Sequence, residues 1–159
     1  GKESNMTSEP LPAILHDKLH EEVEQFADRD FLKAVLGVSV LCALADDEIS
    51  IEERFQIDDV LAQDPVLSTF DTTRATRIFD DFAEAVQIDP ERARDVLMAK
   101  VKRIGESNAK QARTAMRAAW LIIAVDGTIT MREDATFCYL CSLAGLEADI
   151  VRLGVETAW

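Results

Sequence analysis

Asp46-Asp47-Glu48-Ile49-Ser50-Ile51-Glu52-Glu53 is written a second time, loosely, as Asp126-Gly127-Thr128-Ile129-Thr130-Met131-Arg132-Glu133. The register is constant: Asp46 matches Asp126, Ile49 matches Ile129, Ser50 matches Thr130 and Glu53 matches Glu133. Between 41–61 and 121–141 the one further identity is Leu41 with Leu121. Each copy follows an apolar run and precedes a helical pattern. Each therefore reads as the acidic corner of a helical hairpin, and the chain as an internal duplication of that hairpin.

Ser50 and Thr130 stand where a helix N-cap belongs, with Glu53 and Glu133 three residues later, where a capping box closes. The hydroxyl accepts the third amide proton while the glutamate reaches back to the cap's own amide. Gly127 suits the left-handed conformation that ends a helix; Asp47, its counterpart, suits it less well. Asp46 and Asp126 fall at the end of the incoming helices, where the dipole disfavours negative charge, so each needs a specific partner. Two partners fit the residues. One is a backbone amide of the turn, as in an Asx turn. The other is a divalent cation shared with the Glu of the same or the other copy. The first copy offers Asp46, Asp47, Glu48, Glu52 and Glu53, the second Asp126, Glu133 and Asp134. Neither alternates oxygen ligands over a dozen positions around a central Gly, so any ion site here is not an EF-hand.

The remaining composition agrees with an all-helical reading. The chain has 159 residues with four Pro and six Gly, the prolines fall at element edges, and little alternates with period two. That length suits one domain around one core. Gly1 reads as a cleavage scar, with residues 1–9 a disordered or tag-derived tail and 10–159 the helical domain. The formal net charge is −13, from thirty acidic against seventeen basic residues. Such a balance argues against nucleic acid and against an unassisted anionic membrane surface, and favours cations and basic proteins. The apolar runs 31–45 and 118–125 are too short or interrupted to span a bilayer. Three Cys, with no signal peptide in view, point to a reducing cytoplasm.

About eight helices are expected. Residues 11–27 carry Leu15, Leu19, Val23 and Phe26 on one stripe. Asp28 or Asp30 caps the next helix, which runs to about Ala45, is apolar nearly all round and so belongs at the centre. Residues 52–62 form a helix stopped by Asp64-Pro65. Asp71 starts another, and Asp89-Pro90-Glu91 starts a fifth that ends at Gly105. Asn108 caps a second central helix through Ala115, Ala119 and Ile122. After the second corner come a helix to Ala144-Gly145 and a last one from Glu147 to Trp159.

Other residues invite sharper readings that the pattern does not favour. His16 and His20 share a helix face at the spacing of a zinc chelate, with Glu24 as a third candidate ligand, yet no metalloprotease motif accompanies them. They read as surface or half-buried structural residues. Cys138 and Cys141 form a Cys-x-x-Cys inside a helical pattern, away from the helix N-terminus that lowers a redox thiol's pKa. With Cys42 they read as core filling. Trp120 and Trp159 read as packing residues, and Asp80-Asp81 and Glu21-Glu22 as solvated helix faces. No phosphate-binding Gly loop or nucleophile elbow is present.

An apolar helix running into Ala-Asp-(Asp/Gly)-x-Ile-(Ser/Thr)-x-x-Glu resembles the TerB family of tellurite-resistance proteins. The matching stretches are Ala45–Glu53 and, with Val125 for the usual small residue, Val125–Glu133. The pattern is shared with a domain of some membrane-bound J-domain cochaperones. The resemblance covers Phe31 to the C-terminus and leaves the helix with both histidines outside. It implies an all-α bundle with an internal duplication and no established enzymatic activity. It also implies divalent-metal binding through Asp46, Glu53, Asp126 and Glu133, with Asp47 replacing a usual Gly and offering a further ligand. Oxygen-only ligands favour calcium or magnesium over zinc. The implied partners are other proteins, including an integral-membrane component of a tellurite-resistance cluster, with the chain cytoplasmic and recruited to the inner face of the membrane. Two other classes stay open: a metal-dependent enzyme using the paired corners, although the Glu-x-x-His pairs of such bundles are missing, and a plain scaffold whose acids only cap helices.

Overall fold

In the computed structural model the described residues are 13–26, 28–45, 56–63, 66–124 and 129–153. They form eight α-helices and one short 3-10 turn. Helix α1 spans Ala13–Phe26, α2 Arg29–Leu44, α3 Ile57–Gln63, α4 Thr72–Ile88, α5 Pro90–Ser107, α6 Ala109–Ala124, α7 Met131–Leu143 and α8 Ala148–Leu153, with the turn at Leu67–Thr69 between α3 and α4.

Side-chain caps start most of these elements. Asp28 rather than Asp30 caps α2, accepting from the Phe31 amide at 2.8 Å. Asp71 caps α4 through the Arg74 amide, Asp89 caps α5 through Arg92 with Pro90 in the first turn, and Asn108 accepts from Gln111 at the head of α6. Each satisfies an amide the helix itself leaves unpaired.

Helix α2 is the centre of the molecule. From Phe31 to Ala43 all but Lys33 are buried, including Phe31, Val35, Leu36, Val38 and Val40 at 0 % exposure. It packs most extensively on α6 and α5, then on α4 and α7. A helix apolar on every side can be satisfied only by such an enclosure. Helix α6, buried through Ala112, Ala115, Ala118, Ala119, Ile122 and Ile123, packs on it, so the two apolar helices that precede the acidic corners lie against one another. The small alanines of α6 leave room for the larger residues of α2.

Two expectations need correction. Helix α5 does not end at Gly105 but continues to Ser107. Gly105 is there because α7 ends against it: a Cβ on Gly105 would lie 2.5 Å from the Ala144 carbonyl oxygen and 2.7 Å from the Ala144 Cα. The true stop is at the end of α7. Gly145 adopts φ 78°, the Leu146 amide reaches the Cys141 carbonyl at 2.8 Å and the Gly145 amide reaches Ser142 at 2.9 Å. That is a Schellman closure. The second correction concerns Glu22, which is not on a solvated face but 4 % exposed. The expected helix 52–62 is described from Ile57 onward, and Trp159 lies outside the described residues.

Candidate functional site

The second acidic corner is described from Ile129. Ile129 is fully buried and anchors the chain as it enters α7. Thr130 has extended backbone angles and its Oγ1 accepts from the Glu133 amide at 3.1 Å. In return the Thr130 amide donates to Glu133 Oε1 at 3.1 Å, completing a capping box. The result is a carboxylate, Glu133, that is only 2 % exposed and fixed in direction at the positive end of a helix. Asp134, the next acid, turns elsewhere and pairs with Arg152 of α8. Arg152 also donates to Asp149 at 2.8 Å and lies over the Trp120 ring at 5.4 Å. Burial pulls this guanidinium down, but Asp134 and Asp149 outweigh burial and hold it above its ordinary value. Trp120 is thus a packing residue, with Phe137 on its other contact at 4.7 Å between ring centroids.

Asp46, Asp47, Ser50 and Glu53 of the first corner, and Asp126 and Gly127 of the second, lie outside the described residues. Among the described residues no three of His, Cys, Asp and Glu gather as a metal site. The helices flanking the corners nevertheless share a surface. A groove of about 420 Å³ is walled by Leu41, Leu44 and Ala45 at the end of α2, by Arg94 and Met98 of α5, and by Thr136 and Tyr139 of α7. Its α2 wall stops one residue short of Asp46, and its α7 wall begins within two turns of Thr130. The Tyr139 ring stands 56 % exposed at its rim.

The thiols fit their structural reading. Cys42 and Cys141 are buried, and Cys138 is half-buried in the middle of α7. Burial, then Cys138, push the Cys141 thiol up to about 12, and burial with Asp134 raises Cys138 as well. Neither is primed as a thiolate nucleophile. His20 is half-buried with Nδ1 3.9 Å from Glu24; the His16 side chain lies outside the description.

Pattern reading missed a buried polar layer beneath α1 and α8. Glu22 Oε1 accepts from Thr114 Oγ1 at 2.8 Å, and Lys110 Nζ stands 3.6 Å from the other oxygen. One turn along α6, Arg117 is 2 % exposed and donates to the Val151 and Ile150 carbonyls at 3.1 and 3.2 Å. Burial first, then Arg113, bring its guanidinium down to about 10 against the pull of Glu22, which leaves it charged at neutral pH. A charged residue spaced with alanines on an amphipathic helix looks like a surface position, and nothing in the periodicity of 13–26 marks Glu22 as the inward acid.

A sequence model of the tellurite resistance protein TerB matches residues 32–153, most of the chain. The chain belongs to the TerB family. The TerB match begins within α2 and ends with α8, so α1 precedes it. No curated protein and no solved structure matches the chain. Among the described residues no helix is long and apolar enough to cross a membrane.

The donor set of the corners fits the hard cation that the TerB resemblance implies. By residue type it is made of carboxylates alone.

Proposed function

We propose that this chain is a non-catalytic interaction protein of a tellurite-resistance system, and that its partner-facing surface responds to a divalent cation held by the acidic corners. Glu133 carries the reading: a buried carboxylate, oriented by its capping box, at the head of the helix that walls the 420 Å³ groove. Asp46, Asp47 and Glu53, with Asp126 and Glu133, would hold the ion, and calcium or magnesium suits their oxygens. Tension on Glu133 acts on the first turn of α7 and therefore on Thr136 and Tyr139, one and two turns further on. The groove offers a protein partner packing surface, an aromatic rim and one cation, Arg94. An integral-membrane component of the same system is the partner we favour, with the chain acting from the cytoplasmic side.

Calorimetric titration of chelator-treated protein with calcium, magnesium and zinc tests the cation. Calcium or magnesium is expected to bind on the order of micromolar, as in sensor sites, and Asp46→Asn/Asp126→Asn and Glu133→Gln should each weaken it. Folded protein that gives no heat with any of the three metals sinks the reading and leaves the corners as capping devices.

A further inference from the structure

We propose that the pocket where the start of α2, the end of α5 and the first turn of α6 meet binds a phosphate group, free in solution or carried on a lipid headgroup. Its walls bring together Lys33 of α2, Lys100 and Arg103 of α5 and Gln111 of α6, and Asp28 and Asp30 line it as well. Lys100 and Arg103 are one turn apart and so share a helix face.

This concentration of cations is unexpected in a chain of net charge −13. Among the described residues none of Lys33, Lys100 and Arg103 makes an ion pair. Asp28 is already committed, its Oδ1 accepting the Phe31 amide. That leaves Asp30 as the acid acting on Lys100, against Lys33, Arg103 and Arg29. Burial, then these like charges, hold the Lys100 ammonium below its ordinary value. The cations therefore repel one another with only Asp28 and Asp30 to offset them, and a bound anion would relieve the repulsion that remains.

Backbone and size point to the same ligand. Two helices begin at this pocket, α2 behind Asp28 and α6 behind Asn108, and the positive ends of both dipoles lie there. The end of α5 contributes the opposite sign, which Lys100 and Arg103 offset. Arg103 has the planar fork that matches two phosphate oxygens, and Lys33 and Lys100 add point charges. The pocket encloses about 150 Å³. At roughly 30 Å³ per water this holds a small anion with part of its hydration shell, and falls short of the roughly 300 Å³ or more of an organic-ligand pocket. The competing account is an ordinary basic face on which each side chain is solvated separately.

The test titrates the full chain with inorganic phosphate at constant ionic strength, with chloride as the balancing salt, and reads amide NMR shifts. In parallel the protein is mixed with phosphatidylcholine vesicles, plain or containing phosphatidylinositol phosphate. Saturable binding is expected in at least one arm, weakened about tenfold by Lys100→Gln and by Arg103→Gln, as for the loss of one charge-assisted hydrogen bond. Lys102→Gln removes the same charge from an exposed site outside the pocket and should leave binding unchanged. Because Arg103 and Lys102 are exposed, and Lys33→Gln probes the pocket from a different helix, loss of fold in one variant does not obscure the result. Phosphate binding without vesicle binding identifies a free phosphate ligand; tighter binding to the phosphorylated vesicles identifies a headgroup. Absence of saturable binding in both arms, or equal weakening by Lys102→Gln, overturns the proposal.

Discussion

Gly105 and Gly145 look alike in sequence and do opposite things. Gly145 supplies a positive φ at the end of α7, with open space around the position of its missing Cβ. Gly105 has ordinary helical geometry and supplies room, because the backbone of Ala144 occupies the space a Cβ would need. Mid-helix, Gly→Ala normally stabilises by up to about 1 kcal/mol. Gly105→Ala should reverse that sign and cost roughly 1–3 kcal/mol, since a backbone carbonyl cannot step aside as a flexible side chain can. The urea midpoint measures it; a midpoint at or above that of the unchanged protein would show that α5 and α7 separate at little cost. Gly145→Ala should cost about 1–2 kcal/mol for a different reason, the strain of a left-handed residue bearing a side chain.

At the scale of elements, the local signals in the chain map directly onto local hydrogen bonds. Asp28, Asp71, Asp89, Asn108 and Thr130 each accept the amide three residues on, as their place before an apolar period suggests. Capping acts within four residues, so a single sequence contains all its determinants. The centrality of α2 is legible for the same kind of reason: a helix apolar on every face has one possible place. Contacts made between elements are not legible this way. The stop at Gly105 is misread because the residue that requires its missing Cβ, Ala144, belongs to another helix. Glu22 is misread because the hydroxyl and ammonium that draw it inward are on α6. For the candidate site, the box of Thr130 and Glu133 could be read from spacing, whereas the groove beside it depends on three helices meeting. Thr130→Ala should destabilise the fold by about 1 kcal/mol, through loss of the cap at the head of α7. Equilibrium unfolding reads that cost, and Thr130→Ser should restore most of it; an unchanged Thr130→Ala would mean that the buried Ile129 alone holds the corner.

Across the whole molecule, α6 is the member to which the first and last described helices, α1 and α8, are tied. It receives α2 on one side, and on the other the outer helices are held by its polar residues. Thr114 and Lys110 hold α1 through Glu22, and Arg117 holds α8 through the Ile150 and Val151 carbonyls. Leu19 and Val23, fully buried, add the apolar part of the α1 contact. Helix α1 lies before the stretch that matches the TerB family, yet it is docked by a buried hydrogen bond between charged and neutral partners, a stronger class than a surface pair. Such a contact implies that α1 is part of the folding unit rather than an appendage. In a double-mutant cycle, Glu22→Ala and Thr114→Ala should couple by roughly 0.5–3 kcal/mol, as residues sharing a buried hydrogen bond do. Thr114→Ala alone should cost about 1–3 kcal/mol, because it leaves the Glu22 carboxylate buried without its hydroxyl donor. If α1 were loosely attached, the carboxylate would swing into water, the coupling would vanish, and amides of residues 17–26 would exchange with solvent far faster than those of α2. Additive effects with unprotected α1 amides would therefore place the folding unit at α2–α8 and leave α1 outside it.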